Sequence, residues 1–369
     1  MKKLSAGIVG LPNVGKSTLF TALTRKAAES ANYPFCTIDP NVGIVDVEDE
    51  RLGILAKITG SKKIIPATAT FVDIAGLVKG ASEGQGRGNQ FLSDIREVEL
   101  IVHVVRCFED PEIVHVHGKV NPCEDIDVIE MELRLHDLQI VDNALKRLEK
   151  QKKGKKELEE QFATLKKASE HLNANHSLRS LSLQAEEKEH LKEYRLITLK
   201  KVLYVANIGE DSLPSFHNQW VEEVEKRARE ENSHVVAVCA KLEAELTQLS
   251  LEEGKLFLQS LGVENFGLNR LIKKTFSTLG LITYLTSGEI ETRAWPILQG
   301  TNAQEAAGEI HTDIQKGFIR AEVVSFEDMQ KYQGRQKAKE AGKARAEGKD
   351  YIMQDGDVVL FFHNLAPGK

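Results

Sequence analysis

Up to about Gly280 the chain alternates short apolar runs with charged stretches of helical period. LSAGIV at 4–9 reads as a short buried strand, and the glycine-rich turn after it opens a helix from about Lys16. Strand-type runs return at 70–74 (TFVDI), 100–105 (LIVHVV), 201–206 (KVLYVA) and 234–238 (HVVAV). Two of them are almost continuously apolar, as a parallel sheet covered by helices on both faces requires. The pattern predicts an α/β domain with a doubly wound, mostly parallel sheet.

From about Asp127 to Leu199 the strand signal vanishes. Leu138, Val141, Leu145 and Leu148 step by three and four. After KKGKK at 152–156 the spacing resumes with Leu158, Phe162, Leu165 and Leu172. Two amphipathic segments about a glycine-containing turn predict an antiparallel helical hairpin, a short coiled coil. Strand-like sequence resumes at Lys201, so the hairpin is an insertion. Beyond about Leu281, β-type residues at 282–298 and 317–326 and a turn and strand at 355–362 (DGDVVLFF) predict a small α+β domain. The expected division is 1–126 and 200–280 for the α/β domain, 127–199 for the hairpin and 281–369 for the last domain. The stretch 331–349 carries seven basic residues against two acidic ones and few apolar ones, and is expected as a mobile loop or a solvated helix.

Composition narrows the function classes. The 369 residues are 41% hydrophobic and 28% charged, enough for two or three domains with real cores. A net charge of −6 argues against wholesale polyanion binding but leaves room for a local basic face. Cys36, Cys107, Cys123 and Cys239 form no CxxC pair and are expected as reduced thiols in a cytoplasmic protein. Pro12, Asn13 and Lys16 cut the first apolar run, so it is not read as a secretory signal, and no run of 18 apolar residues is available to span a membrane.

The chemistry starts at residues 10–17. GLPNVGKS fits GxxxxGK[ST] between a strand and a helix, so backbone N–H groups can curl around phosphate oxygens. Lys16 supplies charge at the β- and γ-phosphates, and the Ser17 hydroxyl is a Mg²⁺ ligand. Asp73-Ile74-Ala75-Gly76 follows a strand as a DxxG element does, with Asp73 reaching Mg²⁺ through water and Gly76 sensing the γ-phosphate. Thr37 lies between the two motifs, where a switch threonine would complete the metal shell. Leu77 stands where Ras-like enzymes carry the glutamine that orients water. The base-reading position holds Asn207-Ile208-Gly209-Glu210, with Ile for the usual Lys and Glu for the usual Asp, which weakens a preference for GTP. The Asn13 amide oxygen could serve K⁺ between the phosphates, and the competing reading is a hydrogen bond that shapes the loop.

GLPNVGKSTLF, NYPFCTI-PN-G, DIAGLVKGAS-G-G-GNQFL, NI-E and the late GEIHTD--KGFIRAE together resemble the YchF/Obg-like ATPases along essentially the whole chain. The resemblance implies a P-loop G domain interrupted by a helical hairpin and followed by a TGS domain of β-grasp type. It implies a Mg²⁺-dependent ATPase associated with ribosomes, translation control and stress responses, with GTP the weaker ligand. Leu77 offers no polar group to the attacking water, so slow basal turnover and activation by a partner such as the ribosome are expected. By matching position, Asn13, Val14, Gly15, Lys16, Ser17 and Thr18 wrap the phosphates, Ser17 and Thr37 ligate Mg²⁺, and Asn207 with Ile208 lines the adenine site. The histidine proposed as catalytic in the family falls on His115; His117, two residues on, and Arg87 depart from the family pattern. His311, in the late matched segment, is read as structural. Lys150, Lys152, Lys153, Lys155 and Lys156 at the hairpin tip and the 331–349 stretch are candidates for rRNA phosphate contacts. A GTPase with an altered base motif, and a ribosome- or RNA-binding module using nucleotide as a conformational ligand, are the alternatives.

Overall fold

The computed structural model describes residues 4–29, 41–74, 87–116, 118–152 and 154–364. The strands among these residues are β1 (Ser5–Val9), β2 (Val42–Val47), β3 (Lys63–Ile65), β4 (Ala67–Asp73), β5 (Leu100–Cys107), β6 (Lys201–Ile208), β7 (His234–Val238), β8 (Leu281–Ser287), β9 (Glu291–Leu298), β10 (Phe318–Ser325), β11 (Arg345–Glu347) and β12 (Asp357–His363).

One sheet has the order β2-β4-β1-β5-β6-β7. Its neighbours are parallel except β2, which runs antiparallel to β4 at the edge. All eight residues of β5 are buried, so both faces of the sheet are covered at its middle. The chain leaves β1 for β4 on one side and returns to β5 on the other. The crevice beyond the carboxyl ends of β1 and β5 is therefore where such a fold binds its ligand. The run VGIVDV of β2, buried at alternate positions, was missing from the sequence reading.

The insertion is a hairpin of helices Pro122–Glu149 and Lys156–Asn173. Asn121 caps the first by accepting from Glu124 N, and Pro122 sits at its first turn, where no N–H is missed. Val141, Ala144 and Leu148 interlock with Leu165, Ala168 and Leu172, and the partly buried Leu138, Leu145, Leu158 and Phe162 flank them. Ile126, Ile129 and Leu133 of the same helix lie in the core of the first sheet. A boundary at Asp127 thus cuts through a helix whose first turns belong to the α/β core. The charged composition of the helix conceals this, because only one stripe of it is apolar.

The second sheet has the order β11-β10-β12-β8-β9-β3, with β8 and β12 parallel in its middle. Helix Ala303–Ile310 carries a capping box from Asn302 and Glu305, and Ala306 O accepts from the Tyr284 hydroxyl at 3.0 Å. Residues 331–349 are neither loop nor solvated helix throughout. They contain the helix Arg335–Glu340 and strand β11, with Ala338 fully buried. Glu322 accounts for part of the difference, since it pairs with both Lys339 (2.9 Å) and Arg335 (3.6 Å).

Candidate functional site

The loop between β1 and helix Lys16–Glu29 is built by backbone needs. Gly15 has φ +96°, and a Cβ there would collide with the Asn207 side chain; Gly10 passes so close to Val104 O that a Cβ would strike it. Val14 is buried and anchors the loop in the core, while Ser17 and Thr18 stand exposed in the first turn of the helix. The orphan N–H groups of that turn, with the helix dipole, make an anion site.

Lys16 Nζ donates to Gly10 O and Leu11 O, both at 2.8 Å, so the ammonium closes over the loop. Burial lowers its pKa to about 8, against the pull of Asp73. Asp73, at the end of β4, is pushed upward by burial, which Lys16 opposes. The two charges therefore sense one another across the loop, as a phosphate cation and a metal-directed carboxylate should.

Beside the loop lies a cavity of about 630 Å³, lined among others by Asn13, Gly15, Thr18, Asn207, Ile208 and Glu210. Its volume suits a nucleoside. Asn207 is buried and ties three elements together: Nδ2 donates to Val14 O at 2.9 Å, and Oδ1 accepts from Ala240 N at 3.0 Å. Its amide is thus spent on holding the loop against β6 and helix Ala240–Leu246, while Ile208 offers the wall an apolar surface. Glu210 is paired with Lys241 at 3.0 Å beside the same cavity. Burial pushes the lining thiol of Cys239 up to about 11, which keeps it protonated.

The far wall is organised by a residue absent from the sequence reading. Arg106, 2% exposed, donates to Phe108 O, Asp110 O and Ile113 O and stacks on the Phe108 ring at 4.7 Å. The available signal was a cation inside a strand, LIVHVVRC, that is otherwise apolar except for His103. The next residues carry on to Val114, whose carbonyl accepts from Asn13 Nδ2 at 3.1 Å, so Asn13 makes a loop-shaping bond. His115 follows, buried, with Nε2 3.0 Å from Asp125 Oδ2. Asp125, in the first turn of the hairpin's long helix, was not foreseen either.

Thr37, Gly76 and Leu77, with Cys36, His117 and Lys153, lie outside the described residues, as does the side chain of Arg87. Among the described residues no cluster of three His, Cys, Asp or Glu is placed to hold a metal. No helix there is long and apolar enough to cross a membrane.

Two family profiles match the chain. Residues 5–128 match the family described as 50S ribosome-binding GTPase, and 281–364 match the YchF GTPase C-terminal family, described as a protein of unknown function. The chain is 52% identical over 360 residues to the Ribosome-binding ATPase YchF of Escherichia coli O157:H7, covering 97% of this chain and 99% of that one. Against the protein of the same name from Bacillus subtilis (strain 168) it is 50% identical over 365 residues, covering 98% and 100%. Among solved structures, that of the Schizosaccharomyces pombe YchF GTPase superposes with a TM-score of 0.89 at 36% identity and covers 98% of each chain.

Proposed function

The chain belongs to the YchF family, and from that premise we propose that it is a cytoplasmic, ribosome-binding ATPase, Mg²⁺-dependent and slow by itself. The observation that carries the choice of base is the state of the 207–210 segment. A guanine clamp packs a lysine stem on the ring and bonds N1–H and N2–H₂ with an aspartate. Here Ile208 stands at the lysine position and the longer Glu210, exposed and paired with Lys241 at 3.0 Å, at the aspartate's. Adenine offers an acceptor at N1 and a donor at N6, and needs no carboxylate. The bacterial relatives are named ATPases and the fission yeast structure a GTPase, so the base is the point to test.

In this reading Asn13 through Thr18 wrap the phosphates and Lys16 neutralises the charge that develops as water attacks the γ-phosphoryl group. Ser17 offers an exposed hydroxyl, a hard oxygen donor of the kind Mg²⁺ takes, with Thr37 as the further ligand, and Asp73, a carboxylate beside Lys16, would reach the ion through water. The chemistry Mg²⁺ would supply at these donors is neutralisation of phosphate charge. K⁺ would use the Asn13 amide oxygen, and equal turnover in K⁺ and Na⁺ buffers would remove it from the proposal. With leucine at position 77, His115 is the group proposed to position water, its ring fixed by Asp125.

Calorimetric titration with Mg²⁺·ATP and Mg²⁺·GTP tests the assignment. ATP is expected to bind at least about tenfold tighter, a gap of ~1.4 kcal/mol. Tighter GTP binding would place the chain with GTPases that tolerate an altered base motif. His115→Gln is expected to slow kcat at least about tenfold while leaving the ATP Kd within about twofold. Unchanged turnover would make His115 a structural residue.

A further inference from the structure

A second cavity, about 700 Å³, lies at the other end of the first sheet, where β6 and β7 begin. Its lining comes from the start of β6, the start of β7 with the turn before it, the later turns of helix Gly267–Thr278, and the segment that returns from the hairpin. Lys188, Lys201, Lys274, His234 and Arg179 line it, against a single carboxylate, Glu231.

That carboxylate is already engaged. Glu231 accepts from Arg227 Nε at 2.5 Å and from the Tyr204 hydroxyl at 2.8 Å. Arg179 is compensated from inside by Glu130 at 2.8 Å, yet keeps its Nη2 without a partner among the described residues. Lys201 Nζ donates to Thr278 O at 3.0 Å, and no ion pair is formed by Lys188, Lys201, Lys274 or His234 among the described residues.

Unpaired lysines scattered on a convex surface need no explanation, but these converge. His234 is held below its ordinary value by burial first, and then by Lys274 and Lys201. Two ammonium groups acting on one imidazole lie on the same hollow. Lys188, Lys201 and His234 are exposed and Lys274 half-buried, so all four side chains are accessible to a ligand in the hollow.

We infer that this cavity binds a compact phosphate-bearing anion, with the Lys188, Lys201 and Lys274 ammonium groups and the His234 ring gripping its oxygens. The volume exceeds one phosphate and fits a ligand with several phosphoryl groups. Cations that close in from four elements suit a compact ligand, whereas an RNA strand is followed by a groove with aromatic platforms. The bound anion would clamp the hairpin's return segment to helix Gly267–Thr278, the helix that leads into β8.

The test compares the full chain with Lys188→Gln/Lys274→Gln, using pyrophosphate as the probe. The P-loop also takes pyrophosphate, but equally in both proteins, so the difference reads the second site. The unsubstituted chain is expected to show two binding events, and the variant to keep one while the other weakens at least about tenfold. Identical isotherms would overturn the inference. Neither lysine makes a side-chain bond among the described residues, so melting temperature and ATP turnover should not move, and Lys274→Arg should restore much of the binding. A labelled twelve-nucleotide single-stranded RNA separates the sources: if the variant lost RNA binding while pyrophosphate binding stayed intact, the compact-ligand assignment would be wrong.

Discussion

Lys16 is the residue where burial and function pull in opposite directions. Its folded pKa of about 8 lies below the ordinary lysine value, so keeping it charged at neutral pH costs stability, and that cost is relieved as pH rises from about 8 toward 10.5. Phosphate oxygens reverse the balance by favouring the ammonium form. Above about pH 8 the free chain loses this proton, so nucleotide binding there should take up a fraction of a proton that grows with pH. Calorimetry in buffers of different ionisation enthalpy reads that fraction directly. The uptake should shrink toward pH 7 and vanish in Lys16→Ala; a pH-independent uptake, or one that survives the substitution, would mean another group titrates. The phosphate loop was legible because its residues are contiguous and each does a local job. Asn207 was found by its place after a strand, but its task, tying Val14 to Ala240, was not legible. Arg106 and Asp125 act through partners supplied by the fold, and no spacing rule exposes them.

At the scale of elements, the hairpin shows how a charged helical pattern can be read correctly in type and incompletely in attachment. Its seam residues followed from the three–four spacing. Its fastening did not: Asp137, fully buried, accepts from Ile197 N (2.9 Å), Thr198 N (2.7 Å) and the Thr198 hydroxyl (2.7 Å), across sixty residues of chain. With its base held, the hairpin can present its tip. Lys150, Lys155 and Lys156 are exposed there, while Lys152 lies over the Phe162 ring, 3.3 Å from its centre. In 331–349, Arg335 and Lys339 serve Glu322, and Arg345 lies 3.6 Å from Asp357, so this stretch has fewer cations to spare than its composition suggested. The proposed ribosome contact therefore falls first on the tip. Replacing Lys150, Lys155 and Lys156 by Gln should weaken co-sedimentation with ribosomes at least about tenfold near 0.1 M salt. It should also lower the slope of log affinity against log salt by roughly two to three. Lys337→Gln/Lys343→Gln is the control expected to do less. If the triple variant pelleted with ribosomes as well as the parent at every salt concentration, the tip would not be the contact.

The whole molecule is more tightly joined than a division into domains suggests. Strand β3, from the first quarter of the chain, pairs in parallel with β9, and Leu285, Ala294, Val324, Met329 and Val358 of the last 90 residues share one core with Ile8, Leu55 and Phe71. A three-residue strand paired more than two hundred positions away leaves no local signature, which is why the sequence pattern suggested a separate C-terminal unit. Arg51 sits on the seam. It is held well above its ordinary value, first by its hydrogen bonds with Asp49, and it reaches Asp355 at 2.8 Å and the Thr283 hydroxyl at 2.9 Å. Asp355 in turn accepts from Thr283 N at 2.9 Å, so one guanidinium connects helix Glu50–Thr59 to the second sheet. Arg51→Met keeps the side-chain bulk but leaves the Asp49 and Asp355 carboxylates without their cation. Both pairs are partly solvated, and the expected loss is on the order of 1–3 kcal/mol. The shared core predicts a single calorimetric transition for the parent chain, lowered as a whole in the variant. Two separated transitions in the parent, with neither moved by Arg51→Met, would show that the seam carries no coupling and that the C-terminal sheet folds on its own.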